Sequence, residues 1–336
     1  VKDKEGWAED ILAAIRLTGK VPTAERACAV VAVIGQESGF VADPAVADLD
    51  DIVKAGLDDK LAALGPLALP AREAVLAMTL PGSELTVGAR VRRLKTERDL
   101  DELFRDLIAA LQHESPGSFA VAQGISLVLG KGGLDSLNPV TTAGSMQVKV
   151  DFAKAQEPNL SDAAVRELLY TRSGGVRFGT ARLIDYAAHY DDVVYRFADY
   201  NAGVYASRNA AVQKMVSALV GVALVEDGDL LLYDKNGTPK SEDSQSLKSL
   251  ISFGTGAGLS ERNVRKAVAQ EKSASFEDTE LWRAVRAAYT AQTGKPAPYA
   301  VIPTVSLSSP KLKKARTTAW FAQSVLRRYQ ACRGAG

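Results

Sequence analysis

The chain has 336 residues, 46% apolar and 24% charged, with 41 Lys and Arg against 40 Asp and Glu. That balance supplies a real core for one large domain or two ordinary ones, and lacks the overall basic excess that would point to nucleic acid as the partner. No stretch reaches the roughly 18 apolar residues that span a bilayer.

The sequence opens on Val1 and the charged run Lys2-Asp3-Lys4-Glu5, and so reads as a mature or trimmed form from which any export signal is missing. Pro22-Thr23 then introduces a run, residues 24–38, that is apolar on nearly every side. Such a helix is buried all round, and Gly39 is a common stop for it. Glu37 is therefore predicted on the last turn of a central, buried helix. Cys28 lies in the same run and is expected to pack as a small hydrophobe. The alternative, a Cys28–Cys332 bridge, fits an oxidising compartment. Two cysteines are too few for a disulfide framework or a zinc site.

Residues 45–137 show helical patterns broken at Gly65-Pro66 and Pro81-Gly82. The clearest helix covers residues 97–108, with Leu100, Leu103, Phe104, Leu107 and Ile108 at helical spacing. Asn138-Pro139 leads through Ala143-Gly144-Ser145-Met146-Gln147-Val148 towards a helix at Phe152. A second helical region starts at Gly174-Gly175 and reaches Tyr200-Asn201-Ala202-Gly203. Beyond residue 217, Val222–Val225, Leu230–Tyr233 and Asn236-Gly237 predict a small β-hairpin. Helices follow over 261–272, 278–293 and 310–331. From Lys311 onward there are seven basic residues and no acidic one, a pattern open to a solvated helix face or to an anionic polymer or lipid surface.

Three short words carry the chemistry: Gln36-Glu37-Ser38-Gly39-Phe40, Gly144-Ser145-Met146-Gln147-Val148 and Tyr200-Asn201-Ala202-Gly203. A carboxyl group withdrawn from water holds its proton more readily, which suits a general acid for glycosidic cleavage. Small residues at Ala143, Gly144 and Ser145 allow close backbone approach to a sugar. Met146 offers an adaptable apolar wall, and Gln147 offers both donors and acceptors.

In this order the words resemble the signature of the lysozyme-like lytic transglycosylases, over residues 20–44 and 138–216. The resemblance implies a mainly α fold: a lysozyme-like helical core from 1–44 and 138–216, a helical insertion at 45–137, and a mostly helical extension at 217–336 with the small β-hairpin. It also implies that Glu37 is the catalytic acid and that Tyr200 hydrogen-bonds it. Ser38, Gly144, Ser145, Met146, Gln147, Asn201 and Ala202 would line the glycan cleft, with peptidoglycan strands as the partner. No metal or cofactor is implied, since His113 and His189 stand alone without ligand spacing.

Two departures stand out. The insertion separates the first two words, leaving Asp43-Pro44 and Asn138-Pro139 as two halves of one interrupted motif, and Val204-Tyr205 follows Gly203 in place of the usual Pro-Gly. This arrangement most resembles a family of uncharacterised bacterial lipoproteins. That likeness implies a periplasmic or envelope location, with a lipid anchor upstream of Val1. Two rival readings remain. A goose-type lysozyme hydrolase needs a second carboxylate about 6.5–9.5 Å from the acid, for which Asp43, Asp135 and Asp199 are candidates. A glycan-binding protein without turnover needs none.

Overall fold

The computed structural model describes residues 1–113, 138–234, 237–307 and 315–334. Among these the chain is mainly helical. Helices α1 (Lys4–Leu17), α2 (Ala24–Glu37), α3 (Leu49–Leu61), α4 (Ala68–Ala77), α5 (Val87–Val91) and α6 (Glu97–His113) are followed by a hairpin of β1 (Thr142–Ala143) and β2 (Val148–Lys149). Then come α7 (Val150–Gln156), α8 (Asp162–Tyr170), α9 (Arg172–Ile184), α10 (Val194–Ala202) and α11 (Ala206–Val220). The last elements are α12 (Gln245–Gly256), α13 (Glu261–Val268), α14 (Glu280–Thr293), β3 (Ser306–Leu307), β4 (Arg316–Thr317) and α15 (Thr318–Gly334). Asp135 and the basic residues Lys311, Lys313 and Lys314 lie outside the described residues.

The chain divides into two compact units. The first takes the described residues of 1–10 and 37–179, so the predicted insertion and the second motif word belong to one body. Its insertion has an apolar centre of Val75, Leu80, Val87, Val91, Leu103 and Ala110. Helix α6 begins with a reciprocal cap, in which Asp99 N donates to Thr96 Oγ1 at 3.2 Å and Thr96 N donates to Asp99 Oδ2 at 3.0 Å.

The second unit takes the described residues of 11–36, 180–308 and 314–336. Its core gathers Met215, Leu230, Leu250, Phe276 and Trp282 from the chain beyond α10. The predicted hairpin forms only as a short pairing of residues 232–234 with 238–240: Tyr233 bridges to Pro239, Asp234 N donates to Thr238 O at 2.9 Å and Lys240 N donates to Leu232 O at 2.8 Å. No strand forms over Val222–Val225, and Leu230 and Leu231 stay out of the pairing. The cause is a side chain that captures their backbone donors. Glu271, 1% exposed, accepts from Leu230 N at 2.5 Å, Leu231 N at 3.1 Å and Tyr233 Oη at 2.5 Å. N–H groups spent on a buried carboxylate cannot join a ladder. The ladders that do form, β1 with β2 and β3 with β4, were not expected from the sequence.

The cysteine expectation is corrected as well. Cys28 and Cys332 form a disulfide, with Cα atoms 5.6 Å apart across 304 residues of sequence. The bridge ties α2 to α15, and Arg333 Nη2 pairs with Glu25 at 2.6 Å beside it. The final helix begins at Thr318, later than the predicted 310. Its Arg327 and Arg328 are exposed, as a solvated helix face requires.

Candidate active site

Glu37 is the last residue of α2, where an apolar run, Cys28 to Ile34, meets its stop. Its side chain and that of Ser38 are half-buried. The backbone then turns left-handed twice, at Gly39 (φ 60°) and Phe40 (φ 66°). For a non-glycine residue this conformation costs about 1–2 kcal/mol. The Phe40 ring packs edge-on against Trp7 with centroids 5.4 Å apart, which holds it there.

The chain leaving Glu37 runs onto the insertion. Ala45 bridges to Thr96, and Val46 N donates to Lys95 O at 2.8 Å. Asp43 lies on this path. Burial pushes its carboxyl above the usual carboxylate range, against a hydrogen bond from the Thr96 side chain that pulls it down.

The second word is the four-residue turn between β1 and β2, closed by Gln147 N donating to Gly144 O at 3.0 Å. Gly144 is left-handed (φ 78°), and a Cβ there would lie 2.1 Å from Leu169 O. Gly144→Ala is accordingly expected to destabilise the first unit by about 2–4 kcal/mol. Urea unfolding would measure it, and a loss under 0.5 kcal/mol would contradict the tight approach. Ser145 and Met146 are fully buried (0% exposed), and Met146 sits so close to Gly179 that any Cβ there would collide with its sulfur. In this conformation the two side chains pack the turn from beneath. Gln147, half-buried and left-handed (φ 50°), is the residue of this turn whose side chain reaches the surface.

Both ends of residues 138–147 are held by α6. Asp101 Oδ1 accepts from Asn138 Nδ2 at 2.5 Å, and Asn138 Oδ1 in turn accepts from Val140 N at 2.9 Å. Four residues earlier on the same helix face, Glu97 Oε2 accepts from Gln147 Nε2 at 2.8 Å. Glu97 is 4% exposed and Asp101 is 0%. Sequence reasoning missed both. A Thr96–Asp99 cap followed by an acid in the first turn reads as an ordinary solvated helix start.

The third word lies in the second unit. Tyr200 is 5% exposed, and its carbonyl accepts from Arg182 Nη2 at 3.0 Å. The Arg182 guanidinium also lies 5.5 Å from the centre of the Tyr200 ring. Asn201 Oδ1 accepts from Thr318 Oγ1 at 2.9 Å, so α15 holds the predicted sugar ligand by a contact invisible in sequence. Ala202 ends α10 and Gly203 (φ 131°) turns the chain. Tyr205, which departs from the usual motif, is left-handed (φ 65°) and 3% exposed. Its hydroxyl donates to Ala187 O at 2.8 Å and the Arg208 guanidinium stacks 4.0 Å from its ring centre.

Asp199, weighed as a second carboxylate, has another task. It accepts from Tyr190 Oη (2.6 Å), Tyr186 Oη (3.1 Å), Ser207 N (2.7 Å) and Tyr205 N (3.1 Å) and is 1% exposed. It serves the start of α11, satisfying backbone donors that the helix cannot. Among the described residues no group of three or more His, Cys, Asp or Glu is placed to hold a metal ion, and no helix is long and apolar enough to cross a membrane.

Comparison with known proteins places this chain in a family that covers nearly its whole length. Residues 1–334 match the family described as "Protein of unknown function (DUF1615)". An "Uncharacterized protein YaiW" of Escherichia coli (strain K12) is 36% identical over 336 residues, covering 99% of this chain and 86% of that protein. No solved structure matches.

Proposed function

The chain belongs to the DUF1615 family, and we propose that this member is a peptidoglycan lytic transglycosylase with Glu37 as its acid. The observation that carries the reading is where the backbone is strained. Five non-glycine residues have positive φ among those described, and three of them, Phe40, Gln147 and Tyr205, lie in or within two residues of the three motif words. Strain of this kind, about 1–3 kcal/mol per residue, gathers at functional sites where surrounding structure sustains it.

In this mechanism protonated Glu37 gives its proton to the leaving N-acetylglucosamine oxygen as the bond to C1 of N-acetylmuramic acid breaks. The 2-acetamido oxygen supports the developing cation. Glu37, now a carboxylate, takes the proton of the C6 hydroxyl as that oxygen closes on C1, leaving a 1,6-anhydro end. No water is consumed. Tyr200 takes the acid-holding role that the resemblance assigns, and Ser38, Gln147 and Asn201 bind sugar. Gly144, Ser145, Met146 and Ala202 shape the two turns. The Cys28–Cys332 disulfide supports a periplasmic or envelope location, because such bonds persist in oxidising compartments.

Mass spectrometry of products from purified sacculi tests the reading. Anhydro-muropeptides are expected from the native protein. Reducing-end products would replace it with a hydrolase, for which Asp43 is the remaining described candidate base. Glycan binding without any product would replace it with a binding protein. Tyr200→Phe is expected to slow turnover about ten- to hundredfold, the worth of one hydrogen bond to a charged group. Unchanged turnover would remove Tyr200 from the mechanism.

A further inference from the structure

We infer that Glu97, supplied by the insertion, is a positioning residue that sets the orientation of the Gln147 amide and so determines how that side chain meets the glycan. This rests on the glycan-cleaving reading of the site. Three observations carry it. Glu97 is almost wholly buried (4% exposed), yet a glutamate is rarely buried without a partner that needs it. Its Oε2 accepts from Gln147 Nε2 at 2.8 Å, the side chain at the strained position of the second word. The opposite end of the same amide is held too, since Gln147 Oε1 accepts from Thr142 Oγ1 at 3.0 Å.

The chemistry of the pair makes the orientation directional. The Glu97 Oε2 atom is the acceptor of this bond, so Glu97 faces the amide nitrogen and not the amide oxygen. Of the two Nε2 protons, one goes to Glu97, and Gly144 O lies 3.4 Å away as a weak partner for the other. Thr142 occupies one lone pair of Oε1, which leaves the second lone pair as the strong remaining site. Gln147 therefore presents itself to a ligand chiefly as an acceptor, suited to a sugar hydroxyl or an acetamido N–H. Without Glu97 the amide can flip and offer its donors instead, losing that match.

The placement of α6 supports a positioning role over a merely local one. Thr96, the residue before Glu97, bridges to Ala45 on the chain leaving Glu37, and Asp101 anchors Asn138 at the start of the segment that ends in Gln147. The insertion thus supplies, within the first unit, the side chains that hold the second word.

The test uses the full chain and an undecorated glycan tetrasaccharide of alternating N-acetylglucosamine and N-acetylmuramic acid. Glu97→Gln is near-isosteric but removes the constraint, because its own amide can both donate and accept. It is expected to raise KM about tenfold, with kcat changed less than twofold because Glu97 does not touch the reacting atoms. Gln147→Ala is expected to raise KM similarly, and the double variant no further than either single one. Glu97→Asp keeps the carboxyl group on a shorter arm and is expected to give an intermediate KM, which decides the matter should Glu97→Gln fold poorly. Additive losses, an unchanged KM in a folded Glu97 variant, or a fall in kcat alone would each overturn the inference with Glu37 chemistry intact. A native protein that neither cleaves nor binds the tetrasaccharide overturns the functional reading, and this inference with it.

Discussion

Glu37→Gln is expected to lower the rate of glycan cleavage by about 10²–10⁴-fold, the usual contribution of a positioned general acid. The substitution keeps the shape of a half-buried side chain at the last position of α2 and removes only the transferable proton. It should therefore leave the fold alone, which circular dichroism and the thermal midpoint would check. Binding of glycan strands should also survive, because the lost function is proton delivery and not recognition. Both stages of the proposed reaction depend on this one group, first as acid and then as base. Turnover within tenfold of the native rate would move the acid elsewhere and remove the basis of the transglycosylase reading.

The second large effect concerns stability. Opening the disulfide by reduction, or by Cys28→Ser together with Cys332→Ser, is expected to destabilise the second unit. The closed loop spans 304 residues. Chain-entropy reasoning puts the stabilisation at about 5 kcal/mol for loops of this length, near the top of the observed range. Native contacts that survive the cut do not offset this, because they are present in both forms. Phe321, Ala322 and Val325 of α15 stay buried, Tyr329 still meets Phe197, and Thr318 still donates to Asn201. The loss falls on the balance between folded and unfolded chain, and a drop of about 10 °C in the thermal midpoint is the expected size. Parallel melts with and without reductant would measure it. A midpoint unmoved by reductant, with loss of the bond verified by thiol titration, would mean that α15 is held by packing alone.

Helix α6 shows what one-dimensional pattern can and cannot deliver. The spacing of Leu100, Leu103, Phe104, Leu107 and Ile108 correctly announces a helix. It also marks an apolar stripe, but Leu100 and Phe104 are only half-buried while Glu97 and Asp101 are enclosed. Leu103 and Leu107 of the stripe join the insertion's own core, whereas the acid pair meets Asn138 and Gln147, which lie 37 and 50 residues further along the chain. Periodicity reports the first kind of contact and is silent on the second.

The Leu230–Tyr233 segment makes the same point from the other side. Its β-prone residues and the following Asn236-Gly237 predict a hairpin from local preference; the pairing is confined to residues 232–234 and 238–240, because Glu271 takes the backbone donors of Leu230 and Leu231. Strand preference is weak beside a buried carboxylate that must be satisfied.

By itself, then, the sequence determined what short-range forces decide: the buried helix ending at Glu37, the helices around the third word, and the breaks at Gly65-Pro66 and Pro81-Gly82. The identity and order of the three words were legible too, because they are written in consecutive residues. Only the tertiary structure decided which acids are buried, that Gln147 is clamped by Glu97, that Asn201 is held by Thr318, and that Cys28 meets Cys332. Each of these joins residues far apart in the chain, where closure of a long loop must be offset by the packing of everything between, and no local pattern records that sum.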